Sequence, residues 1–468
     1  MLNGMIIAFS LYFIILLLIG LYFYNKNKNM SDYSLANRSL NFWLTAISAQ
    51  ASDMSDWLFM AYPGLIFSQG LSQIWIAVGL VLFMFLTWHY IAPEIRIQTE
   101  ATNAITLSSF FEKKFNDTSN HIRIISGLFC LYFFVFYIAA GLVGLGRVFG
   151  SAFEINYHTG IILGLIISLL YTLLGGLFAI AWSDLFQGTF LLACIMFVPY
   201  YTTMHLGGFS HLIKSLQQYG SSYLSFFPTD GIFTTIIAIL SWGLGYFGQP
   251  HILINFMGID NPANLQKSKL VGCSWQILAL SSAIAVGIVG KVMFFGFLQN
   301  PELIFIVMVK QLFTPFIAGI ILCAILAATI STINTQALIS SSLITNDLYL
   351  PLFPSSNITM SDSKKLLFSR LAIFIIPLFS LIVAWNEHFN ILNLVLYAWS
   401  GLGSAFGPIV ILSLYFDSYL NRSGILAGLI AGGIAALIWP FIPTTLPTLI
   451  AGFLINGSTT LVVSRFTK

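Results

Sequence analysis

Ser48-Ala49-Gln50-Ala51-Ser52-Asp53-Met54-Ser55-Asp56-Trp57, with Tyr62-Pro63-Gly64 just beyond, is a polar run inside the otherwise apolar stretch 42–68. Two carboxylates and two hydroxyls crowd into residues 52–56. At the depth of a hydrocarbon core each ionised carboxylate costs at least ~2.5–3.5 kcal/mol on insertion scales. Asp53 and Asp56 lie three positions apart, so an unbroken helix would put them on one face. A single serine here would need no more explanation than a hydrogen bond between packed helices. The whole cluster points to a cavity, and to a helix that breaks in mid-membrane.

The rest of the chain supplies the membrane. Of 468 residues, 58% are hydrophobic and 7% charged, with a mean hydropathy of +0.90. Soluble domains carry about 25% charged residues, so most of this surface faces lipid. A net charge of +3 gives no reason to invoke nucleic acid. Cys130, Cys194, Cys273 and Cys323 lie in apolar stretches without paired spacing and read as inert thiols, neither a disulfide framework nor a metal site. The first apolar run, 5–24, has no positive charge before it, while Lys26 and Lys28 follow. That polarity is the reverse of a signal peptide. The run reads as a first membrane helix with its N-terminus outside.

Stretches of about 20 apolar residues, marked off by polar breaks, predict thirteen transmembrane segments: 5–24, 42–68, 71–91, 122–147, 159–178, 185–204, 232–256, 270–296, 313–345, 367–385, 390–415, 423–440 and 445–463. Between the third and fourth, Phe110, Phe111 and Phe115 beside Lys113 and Lys114 predict a short interfacial helix within 93–120. Of the 19 Lys and Arg, only Arg147, Lys214, Lys291 and Lys310 then fall outside the cytoplasmic loops and ends. The positive-inside rule sets the N-terminus outside and the C-terminus in the cytoplasm.

The seventh segment reads Ser241-Trp242-Gly243-Leu244-Gly245-Tyr246-Phe247-Gly248-Gln249-Pro250-His251. Its glycines weaken a helix and Pro250 removes a backbone donor, which predicts a second break. His251 has no ligand-type neighbour in sequence and reads as structural. Segments two and seven are five apart, so the broken helices fall at matching positions of two halves with opposite topology. That is the pattern of an inverted-repeat transporter with its site at the midplane. The repeats are 42–204 and 232–415, with 5–24 added before them and two helices, 423–468, after. In segment nine, Ala327-Ala328-Thr329-Ile330-Ser331-Thr332-Ile333-Asn334-Thr335 is small and hydroxyl-rich. Thr332 and Thr335 could simply bond back to the carbonyls of Ala328 and Ser331. The functional reading sets the Ser331 and Thr332 oxygens against unwound carbonyls of segment two, an all-oxygen cage that suits a hard cation such as sodium.

These motifs resemble the sodium:solute symporter family, most closely its bacterial sodium/proline branch. The resemblance runs from Ser34-Leu35-Ala36-Asn37-Arg38-Ser39-Leu40 to the last helix. It is strongest in 48–57, in Gly175-Gly176-Leu177 through Trp182-Ser183-Asp184, in 242–253 and in 324–332. It implies an all-α integral membrane protein with a LeuT-like core in the bacterial cytoplasmic membrane. Sodium is the coupling ion and no cofactor is needed. The implied sodium site uses carbonyls of Ala51, Met54 and Ala328 with the hydroxyls of Ser331 and Thr332, and Asp53 beside them. Ser55, Trp57, Tyr137, Trp242 and Tyr246 match positions lining a proline pocket. Asp184 matches a position linked to sodium release, and Arg38 an arginine tied to coupling, although Arg38 also suits a plain positive-inside anchor.

Two positions depart from that branch: Asp56 stands where glycine is usual, and Gln73 where glutamate is. The extra carboxylate would repel that of a zwitterionic solute unless it is protonated, paired or turned away. The expected function is sodium-driven uptake of L-proline. The alternative is a sodium- or proton-coupled symporter for another small amino acid or a related cationic solute. A membrane-embedded transferase would need clustered acid–base or metal groups, and the seven histidines are dispersed.

Overall fold

The computed structural model describes residues 2–23, 30–228, 231–295, 297–353 and 361–467. Among them the regular structure is helical throughout, apart from one isolated parallel bridge, Leu40–Ile259. Ten described helices are long and apolar enough to cross a bilayer, eleven if the bent pair Ile232–Gly248 and Pro250–Met257 counts as one. The helices used below are α1 (Leu2–Phe23), α2 (Phe42–Met54), α3 (Ala61–Gln69), α4 (Ile74–Leu86), α5 (His121–Phe153) and α6 (Tyr157–His205). They continue with α7 (Ile232–Gly243), α8 (Pro250–Met257), α9 (Leu265–Met293), α10 (Pro315–Ser342), α11 (Ile375–Ala384), α12 (Ile391–Tyr415), α13 (Arg422–Ile438) and α14 (Thr448–Phe466).

Burial sorts these helices. In α10, 83% of the most apolar window is inside the protein, and in α1 only 33%. A helix apolar on all sides belongs at the centre of a bundle, and α10 packs on α1, α2, α5 and α6. In α12, Pro408 cannot donate back to Ser404. The Asn456 amide of α14 takes up that carbonyl and that of Ala405, both at 2.8 Å.

Three boundaries differ from the expected ones, each for a physical reason. The third segment does not end near residue 91; helix continues from Leu71 to Ala101, because Glu94, Gln98 and Glu100 are good helix formers beyond the apolar stretch. The gap expected around 179–184 is helical. The bend lies earlier, at Gly176 (φ 58°, ψ −168°), a conformation that glycine reaches without steric cost. Ser183 and Asp184 lie within this helix and are fully buried, and Asp184 finds hydroxyl partners on two other helices in place of water. The helix predicted in the connection 93–120 forms at Leu107–Lys114, capped reciprocally by Thr106 and Ser109. However, Phe110 and Phe111 are fully buried in protein rather than laid on a membrane surface.

Candidate functional site

Helix α2 stops at Met54 because Ser55 takes φ 43°, ψ −164° and its hydroxyl accepts from Trp57 N at 3.3 Å. A single tight turn, Asp56–Leu58, follows before α3 begins at Ala61. The other break runs through the turn Leu244–Gly248 and an extended Gln249 (φ −93°, ψ 102°), with Pro250 at the head of α8 and a bend of 48°. Both interruptions fall where the sequence predicts them.

Asp53 joins the two breaks. Its Oδ2 accepts from the Tyr246 hydroxyl at 2.6 Å, which in turn accepts from Gln276 Nε2 at 2.8 Å. The Tyr137 hydroxyl donates to the Asp53 carbonyl at 3.4 Å. Around this junction Trp57 stacks on Tyr62 at 4.8 Å and 7°, and lies 5.2 Å from Trp242. Asp53, Met54, Trp57, Tyr137, Trp242 and Tyr246 line a cavity together with Leu80, Val395 and Trp399. Its volume is near 20 Å³, room for about one water molecule, so the aromatic rings must part to admit a solute. Ser55 contributes to the helix break and does not line this cavity.

Replacing Tyr246 by phenylalanine would strip Asp53 of its donor and Gln276 of its acceptor while keeping the ring against Trp399 (5.0 Å, edge-on). A buried polar group left unpaired costs about 1–3 kcal/mol. Solute uptake at subsaturating concentration is therefore expected to fall about 5- to 150-fold, measured as an initial rate, with protein levels unchanged.

A second set of oxygens gathers on the other side of α2. Thr332 Oγ1 lies 3.1 Å from the Ala328 carbonyl and 3.4 Å from that of Ala51. Next to it, Asp184 accepts from Ser331 and Ser48, both at 2.6 Å. Ala51, Ala328 and Thr332 therefore meet at one place, with the neighbouring Ser331 hydroxyl turned to Asp184 and Met54 at the open end of α2. The Asp53 carboxylate turns instead to Tyr246. The expected back-bond of Thr332 is present, but the Thr335 hydroxyl has no partner among the described residues.

Arg38 lies outside this site. It donates to the carbonyls of Met257 (2.7 Å), Thr99 and Ala104 (3.0 Å each), fastening the first loop to the end of α8. Burial, helped by the neighbouring Arg96, pushes its guanidinium down to about 10. Asp56 is fully buried, and neither carboxylate oxygen has a well-formed hydrogen bond among the described residues. It points at Gly144 of α5, where a Cβ would stand 1.9 Å from Oδ2, and is not part of the cavity wall.

Sequence reasoning missed Leu80, Val395, Trp399, Gln276 and Ser48. Trp399 carried a faint signal, a tryptophan beside Ser400 and Gly401 in an apolar helix. Its indole donates to the Trp242 carbonyl at 2.8 Å, freed by the break in the seventh segment.

The profile of the sodium:solute symporter family matches residues 33–432. The chain belongs to that family. Sodium/proline symporter 2 of Staphylococcus saprophyticus is 39% identical over 477 residues, 99% of this chain and 93% of that protein. The sodium/proline symporter of Staphylococcus aureus is also 39% identical, over 99% of this chain and 92% of its own length. Among solved structures, a substrate-bound, outward-open Na+-coupled sialic acid symporter matches with a TM-score of 0.83 at 18% identity, covering 99% of this chain and 97% of that one. MhsT in complex with L-phenylalanine matches at 0.57 and 14% identity, over 90% of this chain and 97% of its own. These structures share the fold. As a member of the sodium:solute symporter family the chain is a multi-pass transporter rather than an enzyme, and sodium is the family's coupling ion.

Proposed function

We propose that this protein couples inward sodium flow to uptake of L-proline across a bacterial cytoplasmic membrane. The observation that carries the reading is the Asp53–Tyr246 junction, which ties the two broken helices together between an oxygen cluster and an aromatic cavity. Sodium held by Ala51, Met54, Ala328, Ser331 and Thr332, with Asp53 close by, stiffens the end of α2. The same residues set the cavity wall through Asp53, so ion and solute raise each other's affinity by linkage. Trp57, Tyr137, Trp242 and Tyr246, with Ser55 at the turn, suit a compact, largely apolar ring. Asp184 draws Ser331 aside as sodium leaves, and Arg38 keeps the first loop moving with α8.

We read thirteen spans: the ten long helices, the bent pair α7–α8, the broken pair α2–α3 and the shorter apolar helix Tyr157–Leu170. The N-terminus is outside and the C-terminus in the cytoplasm. The inverted repeats are 42–204 and 232–415, with one helix before them and two after.

Asp56 is the residue that favours a second reading, a cationic solute. Its carboxylate points at Gly144 and away from the cavity wall, which supports proline instead. The test is labelled proline uptake into proteoliposomes with and without an inward sodium gradient, competed by a panel of amino acids. Sodium-driven uptake, displaced best by proline, is expected. Uptake indifferent to sodium would end the coupling, and stronger displacement by a cationic amino acid would change the solute.

A further inference from the structure

His251 takes no part in the site described so far, yet it is poorly explained as packing. It sits in the first turn of α8, is fully buried, and neither ring nitrogen has a hydrogen-bond partner among the described residues. Its ring meets Tyr137 edge-on at 5.3 Å and Phe134 at 5.9 Å between centroids. Through Tyr137 it adjoins the cavity, and α8 leads from there toward the end held by Arg38. One turn on, Asn255 donates to the His251 carbonyl at 3.1 Å and leaves its own side-chain oxygen unpaired.

Unpaired polar groups continue along the same route. Helix α5 is fixed to α10 where Gly141 faces Thr329 and Ile333, and to the turn Leu343–Tyr349 that continues it where Arg123 reaches Asp347 at 2.8 Å. Between these two points lie Phe134 and Tyr137 on α5, and Gln336 and Ser340 on α10. The side chains of Gln336 and Ser340 are buried with no partner among the described residues. Buried polar groups are normally paired. A strip of buried polar groups without protein partners, beside a small cavity, is explained if those groups meet their partners in another state of the protein.

A neutral imidazole presents one N–H donor and one bare nitrogen acceptor. An amino-acid zwitterion presents the complement: carboxylate oxygens to accept and an ammonium to donate. We propose that His251 is a solute-contacting residue, whose exposed ring nitrogen meets the zwitterion's carboxylate or ammonium, one at a time, as it passes from the cavity toward the cytoplasm. The proposal rests on the transport reading above. In the closed state the ring is covered by Tyr137 and Phe134. When the inner half of α8 moves away from α5, the ring edge is uncovered toward the solute. Ring and cavity then share Tyr137 as a common wall, so the solute need not be released into water between the two.

The test compares the parent chain with His251→Phe and His251→Gln. Phenylalanine keeps the ring and removes both nitrogens; glutamine keeps a donor and an acceptor. Three quantities are read: thermal midpoint, equilibrium binding of labelled proline in sodium, and sodium-driven uptake with proline exchange in proteoliposomes. For His251→Phe we expect an unchanged or higher midpoint and binding within about twofold, but uptake and exchange reduced about tenfold or more. His251→Gln should recover a large part of that loss. Normal uptake by His251→Phe overturns the proposal; a resident water satisfying the ring predicts that result. A parallel fall of midpoint, binding and uptake overturns it too, as the mark of a packing role. If the parent chain takes up no proline, it is the transport reading that fails.

Discussion

Placing alanine at Gly144 should nearly abolish uptake, and removing the Asp56 side chain in the same protein should restore it. The new Cβ would lie 1.9 Å from Asp56 Oδ2 and 2.7 Å from its Cγ, closer than non-bonded atoms approach. Asp56 cannot swing aside cheaply, because it sits in the short turn between α2 and α3 and is wholly enclosed. Overpacking of this kind costs about 1–3 kcal/mol, occasionally more, and here the displaced segment is the break that carries Asp53 and Trp57. Gly144→Ala alone should lower initial proline uptake about tenfold or more. Asp56→Gly alone should leave uptake intact or improved, and the double variant should lie close to Asp56→Gly. Such non-additivity is the signature of direct contact. If the two losses simply add, or if Asp56→Gly abolishes transport, the carboxylate serves the solute and the cationic reading gains.

Truncating Asp184 to alanine is expected to damage sodium use far more than solute recognition. Asp184 receives hydroxyls from Ser48 of α2 and Ser331 of α10, so one carboxylate holds the two helices that face each other across the proposed ion site. Hydrogen bonds to a charged group contribute about 1.5–3 kcal/mol each. Losing even one such bond predicts a rise in the half-saturating sodium concentration of about 10- to 150-fold. Proline half-saturation, measured at very high sodium, should return close to the parent value. An unchanged sodium requirement with a lower maximal rate would remove Asp184 from the ion site and leave it a purely architectural role.

Much of this arrangement was legible in the chain itself. Polar groups in an apolar run, as at 52–56, cannot be hidden by any local structure, so they mark the first break from sequence alone. Glycines with a proline, as at 243–250, mark the second because they act on the backbone. The five-segment spacing then makes them equivalent halves. Tertiary partners are another matter. Trp399 and Gln276 are ordinary residues on unbroken helices, and only packing brings them to Tyr246. Asp184 looked like the edge of a loop because a charge in sequence does not say whether water or two serines will meet it. The same ambiguity hid His251, whose lack of a partner exists only in three dimensions.

Arg38 and Arg96 have a bearing on how the protein is made. Arg38 binds the Met257 carbonyl, Arg96 those of Ile259 (2.7 Å) and Asp260 (3.2 Å), and Leu40 pairs with Ile259 beside them. Each of these acceptors lies more than 150 residues downstream of its donor in the chain. During synthesis the first half therefore enters the membrane with two guanidinium groups, half-buried Arg38 and buried Arg96 in the finished protein, each still lacking carbonyls that have not been translated. Those arginines stay at the water-facing end of their helices until α8 arrives. Assembly of the bundle is then fixed late, by the second repeat closing on the first, and not helix by helix in order of insertion.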